Sequence, residues 1–126
     1  MEQEGSAKRM KTHRLVLPGD LNQFGFLFGG RLLSWVDEAS WIAASLDFSD
    51  CQFVTVGMEA VSFRHSVREG TVLVIESEQI KEGNTSVAYE VRVTRGRKSV
   101  EEVIFSTRVT FVNVDKDGEK QPLRTR

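Results

Sequence analysis

Four groups in the stretch DLNQFGFLFGGRLLSWVDEASWIAA (20–44) are of types and spacings that could act together: the side-chain amide of Asn22, the adjacent glycines Gly29 and Gly30, and the carboxylate of Asp37. The first N–H groups of a helix have no helical partner. With glycines at its start, a ligand can approach that backbone closely. Helped by the helix dipole, such a place suits a carbonyl oxygen that develops negative charge during a reaction. A carboxylate on the same helix suits a general base. Two plainer readings use the same residues, because Gly-Gly before a helix also makes an ordinary tight turn and a lone aspartate on a helix is ordinarily part-exposed. The pattern alone leaves both open.

Placing the residues on a helix wheel sharpens the question. At about 100° per residue, Arg31, Ser34, Glu38 and Ser45 fall on one polar stripe, which explains Glu38 as a solvated or interface charge. Asp37 lies beside that stripe, one turn from Leu33 and Trp41 and two from Ala44. There it would lose solvation, which suits a group that takes a proton from water. Gly30 stands seven residues before Asp37, roughly 10 Å along a helix axis. That gap is too long for both to serve one reacting atom from a single helix. A two-fold dimer could set Asp37 of one chain opposite the glycine turn of the other.

The elements that must position these groups follow from texture. Residues 30–46 hold no proline and no interior glycine after the opening pair, and their length suits a helix of about four to five turns. β-Branched residues at strand spacing then occupy 52–63, 71–80, 85–94 and 100–114, with a weaker strand at 11–18 closed by Pro18-Gly19. Val87, Tyr89, Val91 and Val93 alternate with polar residues, and Val103, Phe105, Thr107, Val109 and Phe111 form one face. Turn signals at 68–70, 81–84 and 95–98 are short, which implies antiparallel neighbours. One helix is available to cover one apolar sheet face, so the expected architecture is α+β, with a curved antiparallel sheet of five to six strands around a long helix. Exposed edges and leftover apolar area then call for at least a homodimer.

Bulk properties exclude several classes. The chain of 126 residues reads as one domain, spanning 11–118, with 1–10 and 119–126 as loose termini and Met10 as a candidate start. Its 17 basic and 18 acidic residues offer no nucleic-acid footprint. One cysteine, Cys51, excludes an internal disulfide framework, and with two histidines it makes a poor zinc site, so no metal is expected. No apolar run approaches the ~20 residues of a membrane span, and the N-terminus lacks a signal-peptide core. The expectation is a soluble cytoplasmic protein. The acidic turn Asp115-Lys116-Asp117-Gly118 lacks the rest of a calcium-loop spacing and reads as a surface turn.

The segment from Val16 to Ala44 resembles the acyl-CoA thioester hydrolase family of the hotdog fold. The resemblance rests on Pro18, Asp20, Asn22, Gly25, Phe28-Gly29-Gly30 and Leu32-Leu33-x-Trp35-x-Asp37-Glu38-Ala39, in register without a gap. Weaker matches follow in TVGMEAVSFRHSVREGTVL, EGNTSVAYEV and STRVTFVNVD, so the likeness covers about 11–118. It implies hydrolysis of acyl-coenzyme A to a free acid and coenzyme A, with no cofactor, since coenzyme A is part of substrate and product. It also implies a dimer, commonly built further into a homohexamer as a trimer of dimers. Catalytic roles carry over to Asn22 and Asp37, supplied by opposite protomers, with Asp37 as general base or, less favoured, as a nucleophile forming an anhydride. The backbone near Phe28, Gly29 and Gly30 would hold the oxyanion. Gly83, Thr85, Ser86 and Arg97 are candidates for contacting coenzyme A. Two departures are visible: Ser66 stands where the family usually has proline, and Thr71 where it often has an acidic residue. Both lie in a loop and bear on substrate fit more than on chemistry, as do the bulky Phe24 and Phe26.

Other residues have quieter explanations. His13 and His65 belong to no motif. Cys51 reads as structural, and Trp35 and Trp41, 240° apart on the wheel, as core or dimer packing. Arg95, Arg97 and Lys98 are a solvated hairpin tip or, more sharply, a grip on the phosphates of coenzyme A. A dehydratase of the same fold would want a histidine in the site, and none lies in 14–64. A non-catalytic acyl-CoA sensor would have no need of the intact Asn22 and Asp37 pair.

Overall fold

The computed structural model describes residues 9–96 and 102–124. Among them, β1 (Arg9–Leu15) is followed by a short 3-10 turn (Pro18–Asp20), the helix α1 (Gly29–Asp47), and the strands β2 (Phe53–Phe63), β3 (Val72–Glu82), β4 (Ser86–Arg95) and β5 (Val103–Asn113). The strands form one antiparallel sheet in the order β1-β3-β4-β5-β2. This is the α+β architecture expected from the element order, and it is the hotdog fold that the family resemblance implies. No helix among the described residues is long and apolar enough to cross a membrane.

The period of each element decides which face it buries. Along α1, Leu32, Trp35, Val36, Ala39, Ala43 and Ala44 recur at helical spacing and turn inward. On β4, Val87, Tyr89, Val91 and Val93 alternate inward, and on β5 Phe105, Thr107, Val109 and Phe111 do the same. Tyr89, Phe105 and Phe111 are wholly buried, and each such side chain contributes about 1.5–3 kcal/mol of transfer free energy. Val103 is only half-buried while Ile104 takes a core place. The register shift between Val93 and Thr94 explains this, since a bulge inverts the alternation before Phe105.

Strand β2 is an edge strand and carries two irregularities, at Thr55/Gly57 and Glu59/Ser62. In the second, Ala60 takes φ 55, a conformation that costs an alanine about 1–2 kcal/mol. Thr107 Oγ1 donates to Glu59 O at 2.8 Å and anchors that bulge. Such bulges twist an edge strand and limit uncontrolled pairing.

Packing runs wider than the expected 11–118. Arg9 and Met10 pair with Glu78 and Ser77, and the tail is bonded as far as Arg124. Leu123 N donates to Asn84 O at 2.9 Å, and Asn113 Nδ2 donates to Pro122 O at 2.9 Å. Arg124 N reaches Cys51 Sγ at 3.2 Å, in line with a structural thiol. The turn at Asp115 is closed by Asp117 N and Glu119 N, both donating to Asp115 Oδ1, with Gly118 at φ 84.

At the far end of α1, the phenol of Tyr89 donates to Asp47 Oδ2 at 2.5 Å. Burial, then the hydrogen bond to Asp47 and the charges of Asp47 and Glu82, push its pKa well above the ordinary 10.0. A raised folded-state value means that the neutral phenol's contribution is fully present below pH 10.0 and is lost as pH rises above it. Tyr89→Phe leaves the half-buried Asp47 without this donor. It should cost about 1–3 kcal/mol at neutral pH and remove the alkaline loss, as read by urea unfolding at neutral and alkaline pH.

Candidate active site

The site begins at the crossing from β1 to α1. Asp20 ties this turn together: its Oδ2 accepts from Leu17 N at 2.9 Å, its carbonyl accepts from Phe28 N at 2.9 Å, and its Oδ1 lies 3.3 Å from Arg31 Nε on the helix. Asn22 organises the next turn. Its Oδ1 accepts from Phe24 N at 2.9 Å and Phe26 N at 3.1 Å, while Gly25 takes φ 87 between them. Two N–H donors on one side-chain oxygen leave no doubt which end of the amide is which. The Nδ2 end of Asn22 makes no hydrogen bond among the described residues, so this side chain offers a donor.

Helix α1 starts at Gly29, with Phe28 extended before it and no side-chain cap. The N–H groups of Arg31 and Leu32 turn back onto Phe28 O at 3.0 and 3.2 Å. Those of Gly29 and Gly30 have no partner among the described residues. Neither glycine has a positive φ. A Cβ at Gly29 would stand 3.5 Å from the ring of Phe63, and one at Gly30 3.6 Å from the ring of Phe28, both ordinary contact distances. Glycine lowers helix stability by about 1 kcal/mol against alanine in a helix interior, and here neither backbone nor packing demands it. Bare backbone at two free N–H groups is what a ligand carbonyl requires.

Asp37 sits one element deeper. It is half-buried, and its Oδ1 accepts from Thr55 Oγ1 at 2.7 Å across the gap between α1 and β2. Thr55 had no signal in the sequence, since a threonine on a strand belongs to no spacing that names its partner. Its hydroxyl orients the carboxylate, and Oδ2 accepts no hydrogen bond among the described residues. Losing a hydrogen bond to a charged group costs about 1.5–3 kcal/mol, so Thr55→Val should lower thiol release by roughly tenfold to a hundredfold if Asp37 is the base. Glu38, by contrast, is exposed and faces Arg14 at 3.6 Å.

Within one chain the groups come together only in part. No hydrogen bond among the described residues joins Asn22 to Asp37. The turn holding Gly83, Thr85 and Ser86 lies at the other end of the sheet from Gly29 and Gly30. Ser86 pairs with Val112, and Thr85 O accepts from Asn113 N, next to the end of α1 that bonds Tyr89. Gly29 instead faces Phe63, which pairs with Phe105. Gly83 also has a local reason: a Cβ there would come within 2.9 Å of Ser86 Oγ. Arg97 and Lys98 lie outside the described residues. Arg95 is occupied by Glu102, at 2.8 Å from Nε, which holds the Glu102 carboxyl below its ordinary value. Phe26 is covered by Arg68, 4.5 Å above its ring, whereas Phe24 and Phe28 are exposed.

Comparison with known proteins adds to this geometry. The model of the thioesterase superfamily matches residues 24–102. The acyl-CoA thioester hydrolase YciA of Salmonella typhimurium is 31% identical over 114 residues, covering 86% of this chain and 85% of its own. An acyl-CoA hydrolase from Bacillus cereus superposes with a TM-score of 0.83 at 32% identity, covering 93% of this chain and 72% of that one. The hexameric thioesterase y2039 from Yersinia pestis does so with a TM-score of 0.82 at 28% identity, covering 91% and 94%.

Proposed function

The chain belongs to the thioesterase superfamily, and from that premise we propose that it hydrolyses acyl-coenzyme A thioesters to a free carboxylic acid and coenzyme A. The observation that carries the reading is the pair of unpartnered N–H groups at Gly29 and Gly30, on glycines that neither strain nor packing requires. In this reading the thioester carbonyl oxygen sits on those N–H groups, with Asn22 Nδ2 as a further donor. Asp37 of the partner subunit takes a proton from water, which forms the new C–O bond. The tetrahedral intermediate expels the coenzyme A thiolate as the C–S bond breaks, and the proton on Asp37 returns to the sulfur. The carboxylic acid and the thiol account for both hydrogens of the water consumed, and the acid then ionises by releasing its proton to solvent. Direct attack by Asp37 through an anhydride ends in the same products.

A site shared between subunits agrees with two features. The seven-residue step from Gly30 to Asp37 separates them by roughly 10 Å along α1. The chain also leaves Trp41, Ile42 and Leu46 on α1 and Val54, Val56 and Val61 on β2 exposed, an apolar strip that a second copy would cover. A homodimer is therefore the smallest active unit in this proposal, a homohexamer its expected assembly, and the cytoplasm its setting. Gly83, Thr85, Ser86 and Arg97 are the candidates for the coenzyme A portion, reached from a neighbouring subunit. No cofactor is required by these steps.

The test is thiol release from a series of acyl-coenzyme A esters of increasing chain length. Turnover of at least one of them is expected. Tight binding of the esters with no thiol release at any length would replace the enzyme with an acyl-CoA sensor.

A further inference from the structure

The ring of Phe63 stands beside Gly29 at the start of α1. Phe63 is the last residue of β2 and lies opposite the wholly buried Phe105 of β5. Its Cε1 and Cζ lie 3.5 Å from where a Cβ on Gly29 would be. The ring packs edge-on against Phe105, with centroids 4.8 Å apart and an interplanar angle of 63°. Phe105 is wholly buried and held in the middle of the core, so the Phe63 ring is braced from behind. Yet 52% of Phe63 remains exposed. The Phe28 ring stands 3.6 Å from the Cβ position of Gly30.

An exposed aromatic fixed against the core and set beside free N–H groups forms a wall. Resting on the reading that a thioester carbonyl sits on those groups, we infer that Phe63 is a specificity-determining residue that selects acyl groups unbranched next to the carbonyl. A carbonyl oxygen on the Gly29 and Gly30 N–H groups places the acyl α-carbon within a bond or two of them, at the level of the two rings. A methylene passes between flat ring faces and edges, whereas a second substituent on the α-carbon must occupy the volume of the Phe63 ring. The bracing by Phe105 keeps that ring from yielding, because close-packed interiors transmit strain and do not absorb it. A single methyl group in a tight apolar site is worth about 10-fold to 200-fold in discrimination, which sets the scale expected here.

The experiment compares kcat/KM for butyryl-coenzyme A and isobutyryl-coenzyme A, which differ only by branching at the α-carbon. The ratio is measured in one preparation, so the fraction of folded enzyme cancels. The wild-type chain should prefer the straight ester by about tenfold or more, and Phe63→Ala should bring the ratio towards one. Phe63→Leu, which keeps packing against Phe105, should fall between and guards against an alanine variant that fails to fold. A ratio unchanged in Phe63→Leu and in any folded Phe63→Ala overturns the inference, as does a wild-type chain that takes both esters equally. A wild-type chain that releases no thiol from either ester, or from the longer series, removes the underlying hydrolase reading instead, and this inference with it.

Discussion

Asp37→Ala is expected to lower thiol release by about 10²–10⁴-fold while leaving ester binding within a few-fold, the range by which a positioned general base accelerates proton transfer. The physical basis is the carboxylate's setting. It is half-buried on α1, aimed by the Thr55 hydroxyl at 2.7 Å, with one oxygen left for water. Asp37→Asn keeps the size and the contact with Thr55 but cannot accept the proton, so it should lose nearly as much. If Asp37→Ala turned over at the wild-type rate, Asp37 would have no part in the chemistry and its exchange with Thr55 would be structural. A fall in both binding and melting temperature would point the same way, whereas a fall in kcat with KM held identifies an interaction made in the transition state.

Mixing two inactive subunits provides the second large effect. In a two-fold dimer with shared sites, a heterodimer of Asp37→Ala and Asn22→Ala chains has one site with both residues replaced and one fully native site. Random exchange makes about half of the dimers mixed, so activity should return to about a quarter of wild type from a nearly inactive baseline. The geometry behind this is the roughly 10 Å along α1 between Gly30 and Asp37, with Asn22 locked to the glycine end by its bonds to Phe24 N and Phe26 N. No recovery, with exchange verified by differently tagged subunits, would assign the whole site to one chain. A gain in the mixed sample with none in either parent has no single-chain explanation.

Much of the arrangement is legible in the amino-acid order. The helix, the four long strands and their short antiparallel links follow from hydrophobic period and turn residues, which act over a few neighbours. The same local logic singled out Asp37 as the carboxylate off the polar stripe of α1. It also singled out Gly29 and Gly30, although on pattern they could have been a plain turn. Their φ angles and the ordinary contact distances at their Cβ positions show that neither strain nor packing requires glycine there. Gly83 went the other way: the tight approach of Ser86 Oγ explains it locally. Polar residues without period carry no signal for a partner, so the end of the chain reads as loose, yet Asn84, Asn113 and Cys51 hold it as far as Arg124.

What the amino-acid order determined by itself is therefore a set of faces: which side of α1 is apolar, which residues of β4 and β5 point inward, and which polar groups fall where no periodicity explains them. These depend on helical and strand geometry, which is the same wherever the segment is placed. Tertiary structure alone decided which faces meet. The order β1-β3-β4-β5-β2 carries β2, next to α1 in the chain, to the far edge of the sheet and back along the helix. That placement sets Thr55 on Asp37 and Phe63 beside Gly29, and it puts the 83–86 turn at the opposite end from the glycine pair. Contacts of this kind depend on strand order, bulges and twist summed over the whole sheet, and no window of neighbouring residues contains that sum.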